Sequence, residues 1–155
     1  MRKLLIGILS TLTLLSCNND DDSIEQTSES SVTGKWYLTE IINTSVGGST
    51  TPSEDDTHYY QINEGGTFKR ISIASGVTDE LEGTYIVTDE NPLYGNENNL
   101  IQKFIELSYS SSDVNFSNCG YDEQKQLLIL LSNNKLKNTL SGACDGENYE
   151  YEKEN

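Results

Sequence analysis

From residue 33 onward the chain is a succession of short β-rich runs separated by turn residues, and this repetition constrains the fold more than any other feature. The runs cover residues 34–42, 57–63, 67–72, 81–88, 100–109, 125–131, 135–140 and 148–153. Each has the length of a strand and is bounded by turn chemistry, and no stretch carries convincing helical periodicity. Glu64, Gly65 and Gly66 join the second run to the third, and paired glycines suit a tight hairpin with positive φ. Asn133-Asn134 and Asp145-Gly146 predict further hairpins, and residues 89–99, with Pro92, Gly95 and several Asn, predict a loop. Gly83 inside the fourth run predicts a bulge or bend. In the fifth run Ile101, Lys103, Ile105, Leu107 and Tyr109 alternate onto one face. Eight consecutive antiparallel strands are enough to close a barrel, with a sandwich as the competing architecture, since strand count does not separate the two.

Such a chain can bury one modest core. It has 155 residues, 34% of them hydrophobic, which suffices for a single small domain. Its 25 acidic side chains outnumber 10 basic ones, so the net charge is −15 and no nucleic-acid partner is expected, because phosphate binding needs clustered Lys and Arg. The one histidine, His58, leaves no basis for a multi-His metal site. Glu54-Asp55-Asp56, just before it, lacks the Asp-x-Asp-x-Asp-Gly spacing of a cation loop and reads as a solvated segment. The Asp145-Gly146-Glu147 turn reads as hairpin chemistry on the same grounds. No Gly-x-Ser-x-Gly elbow, Walker loop or dinucleotide fingerprint occurs. The expectation is a non-enzyme with no catalytic residues, no cofactor and no metal.

The N-terminus reads as an address. Arg2 and Lys3 precede an apolar stretch over residues 4–15, too short for a membrane helix of roughly 20 residues. Leu14-Leu15-Ser16-Cys17 follows and resembles the bacterial lipobox, in which the Cys is acylated and becomes the new N-terminus. An ordinary secretory signal is the plainer alternative. The resemblance implies a signal peptide at 1–16, lipidation of Cys17 and a membrane anchor, since two or three acyl chains hold stably where one does not. Residues 17–31 carry Asp20-Asp21-Asp22, Glu25 and Glu29 with a single apolar Ile24, a tether composition. Acidic residues directly after the lipidated Cys also resemble the export signal of surface lipoproteins in one phylum of Gram-negative bacteria. That implies the outer membrane with the domain at the cell surface, the periplasmic face being the alternative.

Several short motifs over residues 32–153 carry a second resemblance. Gly34-Lys35-Trp36 looks like the Gly-x-Trp signature of lipocalins, whose Trp packs across the closed end of the barrel. The stretch from Tyr59 through Gly65-Gly66-Thr67-Phe68 resembles a hairpin of bacterial lipocalin-like lipoproteins. Gly83-Thr84-Tyr85 and the closing Tyr149-Glu150-Tyr151-Glu152-Lys153 resemble that family's later strands. No Thr-Asp-Tyr motif with a basic residue after it accompanies them, so a full eukaryotic-type lipocalin is not implied. The resemblance implies an all-β, eight-stranded antiparallel lipocalin-like barrel over residues 32–155. Strand alternation sets Trp36 and Leu38 opposite Tyr37, Thr39 and Ile41. The expected inward set is then Trp36, Leu38, Phe68, Tyr85 and Leu128 or Ile129, either filling the barrel or lining a ligand pocket.

With Cys17 assigned to lipid, Cys119 and Cys144 remain, and an even pair in an exported chain reads as a disulfide. Closing the 119–144 loop would stabilise the fold by roughly 3 kcal/mol in the chain-entropy model. Two functions stay open. One is a carrier binding a small apolar or amphipathic molecule in the barrel mouth. The other is a filled barrel whose loops contact an envelope protein, a host protein or a glycan, with Tyr94 and Phe116 as exposed aromatics on long loops.

Overall fold

The computed structural model describes residues 32–90, 101–114, 116, 121–139 and 146–155. The proposed signal peptide, tether and all three cysteines (Cys17, Cys119 and Cys144) lie outside the described residues, as does Tyr94. The elements are strands: β1 (Gly34–Asn43), β2 (Ser49–Thr50), β3 (Thr57–Asn63), β4 (Thr67–Ala74), β5 (Val77–Thr88), β6 (Ile101–Tyr109), β7 (Lys125–Leu131), β8 (Lys135–Asn138) and β9 (Glu147–Lys153). β1 pairs with β3, each strand from β3 to β8 pairs antiparallel with the next, and β9 returns to β1 from Trp36↔Lys153 to Asn43↔Glu147. That last pairing decides between the two architectures: the chain is a closed eight-stranded barrel, with the short β2 added to the far end of β1. Closure leaves no long open edge for another chain to pair with.

The turns follow local chemistry. Gly65 and Gly66, at φ 85° and 80°, make the β3–β4 hairpin, and Asn134, at φ 61°, serves the β7–β8 turn. β5 begins at Val77 rather than Leu81, after a Ser75-Gly76 turn with φ 51° and 78°. β6 ends at Tyr109, opposite Gly83, so beyond one Ser110 N–H to Glu82 carbonyl bond residues 77–82 pair only with β4. Most of their side chains, Thr78, Asp79, Glu80 and Glu82 among them, are exposed, which erases the alternation that marks a half-buried strand. Gly83 is neither bulged nor shifted in register. A Cβ there would stand 2.0 Å from the Ser108 carbonyl oxygen and 2.9 Å from the Phe68 ring, so the position admits only glycine.

Trp36, Ile62, Phe68, Tyr85, Leu107 and Leu128 belong to one core inside the barrel, with Leu38 packed against it. The Trp36 indole Nε1 donates to the Val32 carbonyl at 2.8 Å, which ties the incoming chain to the core. Ile129 corrects the expected inward set. Residues 127–131 are apolar on both faces, and the Ile105↔Leu128 register turns Leu128 inward and Ile129 outward, onto Phe104 and Leu127. Two bulges shift the phase elsewhere. One at Thr39 brings Ile41 opposite the inward-facing Tyr149, and one at Gln102 moves Ile101 to the outer cluster, off the face of Ile105 and Leu107.

Antiparallel order sorts the connections by end. The chain enters at Val32 and leaves after Lys153 at the same end as the 64–66 and 132–134 turns. The opposite end, here called the mouth, carries the described residues 44–56, 75–76, 110–114, 116, 121–124, 139 and 146.

Candidate functional site in the barrel mouth

The interior changes character along the barrel axis. Near the entry end, large apolar side chains fill the space. Toward the mouth the same inward phase brings in polar groups: Tyr60 and His58 from β3, Arg70 and Ser72 from β4, Gln126 from β7, Asn138 from β8, and Tyr151 and Tyr149 from β9. These side chains and Phe116 surround a cavity of about 320 Å³, at the small end of the range for ligand sites.

Arg70 organises this chamber. Register sets it beside Tyr60 on β3 and Leu81 on β5, two residues along β4 from the buried Phe68. Its Nε donates to His58 Nε2 at 2.9 Å, and the Phe116 ring lies over the guanidinium at 5.5 Å from Cζ. Phe116 also stacks on Tyr109, with ring centroids 4.8 Å apart, and its backbone N–H donates to the Glu123 carbonyl. It is therefore a half-buried cover on the core rather than a free aromatic on a loop.

The protonation states follow from burial and from this cation. His58 is pushed down to about 3, first by burial and then by the adjacent Arg70 charge, so it is a neutral acceptor across the ordinary pH range. Burial works against the Arg70 charge, but the oxygens of Tyr60, Tyr109 and Tyr151 outweigh it and hold the guanidinium protonated. Burial drives the Tyr109 and Tyr151 hydroxyls well above the ordinary tyrosine value, so both stay neutral. Tyr60 and Tyr109 both donate to Gln126 Oε1, at 2.9 and 2.6 Å. The Tyr151 hydroxyl, on a fully buried side chain, has no hydrogen-bond partner among the described residues.

Charge pairing separates Arg70 from four of the seven described lysines. On the outer surface Lys69 pairs with Glu80, Lys103 with Asp89, Lys125 with Glu106, and Lys135 with Glu150 and Glu152. Arg70 pairs with no carboxylate among the described residues, in a chain with 25 of them. Glu147, on the inward phase of β9 near the mouth, accepts the Tyr149 hydroxyl at 3.1 Å and does not line the cavity. The chamber thus offers one fixed positive charge, neutral hydroxyl donors and aromatic walls. Compared with protein-family models, curated proteins and solved structures, the chain has no match. Its chemistry has to be read from these side chains alone.

Of the residues expected to line a pocket, Trp36, Phe68 and Tyr85 lie in the filled core, Leu38 packs against that core, and Ile129 is outside it. Glu54, Asp55 and Asp56 are exposed on the mouth loop; Glu54 and Asp56 border an open surface pocket together with His58, whose Nε2 accepts from Arg70. No group of three or more His, Cys, Asp or Glu among the described residues could hold a metal ion. Sequence reasoning passed over Arg70, Tyr60, Gln126 and Tyr151. A signal for Arg70 was present: it follows Phe68 by two residues on one strand, and it is one of only two arginines in the chain.

Proposed function

We propose that this chain is a lipid-anchored, non-catalytic lipocalin-like lipoprotein of the outer membrane that binds a small amphipathic molecule in the mouth of its barrel. The observation that carries this reading is the division of the interior: a packed apolar half, and a mouth half with about 320 Å³ of space walled by rings and polar groups. A barrel serving only as a scaffold gains stability by filling that space, and leaving polar side chains around a void costs stability unless something occupies it. The Leu14-Leu15-Ser16-Cys17 motif supports the anchor. The chain enters the barrel at the end opposite the mouth, so a tether from Cys17 leaves the mouth free of its own attachment point. The Asp20-Asp21-Asp22 run supports display at the cell surface.

Native mass spectrometry of the chain recovered from its producing membrane tests the binding. A stoichiometric adduct that is lost in Ser72→Trp, which fills the cavity, supports the carrier, and an adduct retained in Ser72→Trp refutes it. Cys17→Ser shifts the protein from the membrane to the soluble fraction if the anchor is as proposed. Val46 and Val77, 81% and 69% exposed on two mouth turns, favour the second reading, an interaction module for an envelope or host protein or a glycan. A Val46→Ser/Val77→Ser double variant that loses a partner but keeps the adduct would support that module.

A further inference from the structure

A half-buried guanidinium that pairs with no carboxylate among the described residues, in a protein of net charge −15, needs a physical reason. Arg and Lys are seldom buried without a counter-charge, because desolvation costs several kcal/mol per ion. Here the nearby acceptors are neutral. His58 Nε2 takes the Nε–H and the Tyr109 hydroxyl takes a further hydrogen bond, and the guanidinium borders the cavity. A guanidinium carries donors on both terminal nitrogens in the planar arrangement that matches a carboxylate. Tyr151 supplies the second, independent observation: a fully buried hydroxyl, on a residue lining the same cavity, with no hydrogen-bond partner among the described residues. A buried donor left unsatisfied is destabilising, and an anion at Arg70 would receive it. The rings of Tyr60, Tyr149 and Phe116 wall the rest of the space and suit an apolar body.

We propose that the mouth cavity is a site for a small amphipathic carboxylate, with the Arg70 guanidinium as its counter-ion and the Tyr151 hydroxyl as an added donor. The proposal rests on the cavity being a ligand site and names the class of ligand. Charge count separates a carboxylate from a phosphate monoester. One cation neutralises one negative charge, and a dianion would leave a net charge in a low-dielectric chamber whose other groups are neutral.

The chain's two arginines make the Arg70 Nε–H readily assignable by NMR, so it is the natural reporter. The full chain in nonionic detergent is titrated with phenylacetate, phenylacetamide and phenyl phosphate. The expected result is a saturable shift of the Arg70 Nε–H with phenylacetate, and affinity about tenfold or more weaker for the amide. Arg70→Gln abolishes the preference of acid over amide. Tyr151→Phe weakens the acid by about three- to tenfold while leaving the ligand-free protein at least as stable, which a hydroxyl with a merely structural role would not do. Equal binding of acid and amide overturns the carboxylate assignment and leaves the carrier intact. Tighter binding of phenyl phosphate overturns the monoanion assignment. If none of the three binds at millimolar concentration, both the carboxylate site and the carrier fall.

Discussion

His58 and Arg70 form a pair in which one partner must stay neutral. With His58 held at about 3 in the folded chain against 6.5 unfolded, the unfolded state takes up a proton first as pH falls. Both states are neutral at this site above pH 6.5, so the histidine costs nothing there. Below that, stability declines by up to about 1.4 kcal/mol per pH unit until the folded group titrates. His58→Gln keeps an acceptor for Arg70 and removes the proton. Its stability in urea is therefore expected to fall about 1.5 kcal/mol less than that of the parent between pH 6.5 and pH 5, a window above most carboxylate titration. Equal slopes would refute the assignment. Gln126 is the second residue with a calculable cost. Its Oε1 accepts both Tyr60 and Tyr109, so Gln126→Met leaves two buried hydroxyls without their acceptor and is expected to destabilise by about 2 kcal/mol in equilibrium unfolding.

Strands β4, β5 and β6 meet where backbone and ring compete for the same volume. Phe68, Gly83 and Tyr109 are aligned across the three strands, and the Phe68 and Tyr109 rings pack edge to face at 4.9 Å over the place a side chain would occupy. Gly83→Ala drives a methyl into the Ser108 carbonyl, a backbone atom that cannot rotate away. The expected cost is about 3 kcal/mol, read as a lowered thermal midpoint, and it also loosens the Phe68–Tyr109 contact. Elsewhere the element pattern was legible in part. The turns at 64–66 and 133–134 announced themselves through glycine pairs and asparagines. The first half of β5 did not, because residues 77–82 form strand pairs on one side only and most of their side chains meet water.

Over the molecule as a whole, self-repulsion outweighs attraction. The net charge of −15 acts on every exposed carboxylate, whereas outer pairs such as Lys69–Glu80 and Lys103–Asp89 are solvent-exposed and worth at most about 1 kcal/mol each. Added salt screens both terms, and the repulsion is the larger. Raising sodium chloride from about 20 mM to about 300 mM is expected to increase the unfolding free energy by about 1 kcal/mol, measured in urea so that the denaturant adds no ions. A fall in stability would mean that the specific ion pairs dominate.

Composition, strand periodicity and turn residues determined that the described residues are all-β with eight principal strands, since these depend on neighbours along the chain. The inward phase of Trp36, Phe68 and Tyr85 was expected from their resemblance to lipocalin-like strands and not from alternation alone, since the runs of Trp36 and Phe68 carry apolar residues on both faces. Closure into a barrel was not determined by neighbours along the chain, because it rests on β9 meeting β1, a pairing between the two ends of the domain. Ile129 and Leu128 could not be told apart inside an apolar run; only the register with β6 chose between them. The mouth chamber was hidden for the most general reason. Arg70, Tyr151 and Gln126 come from three strands far apart in sequence, and only barrel closure brings a cation, buried hydroxyls and aromatic walls around one space.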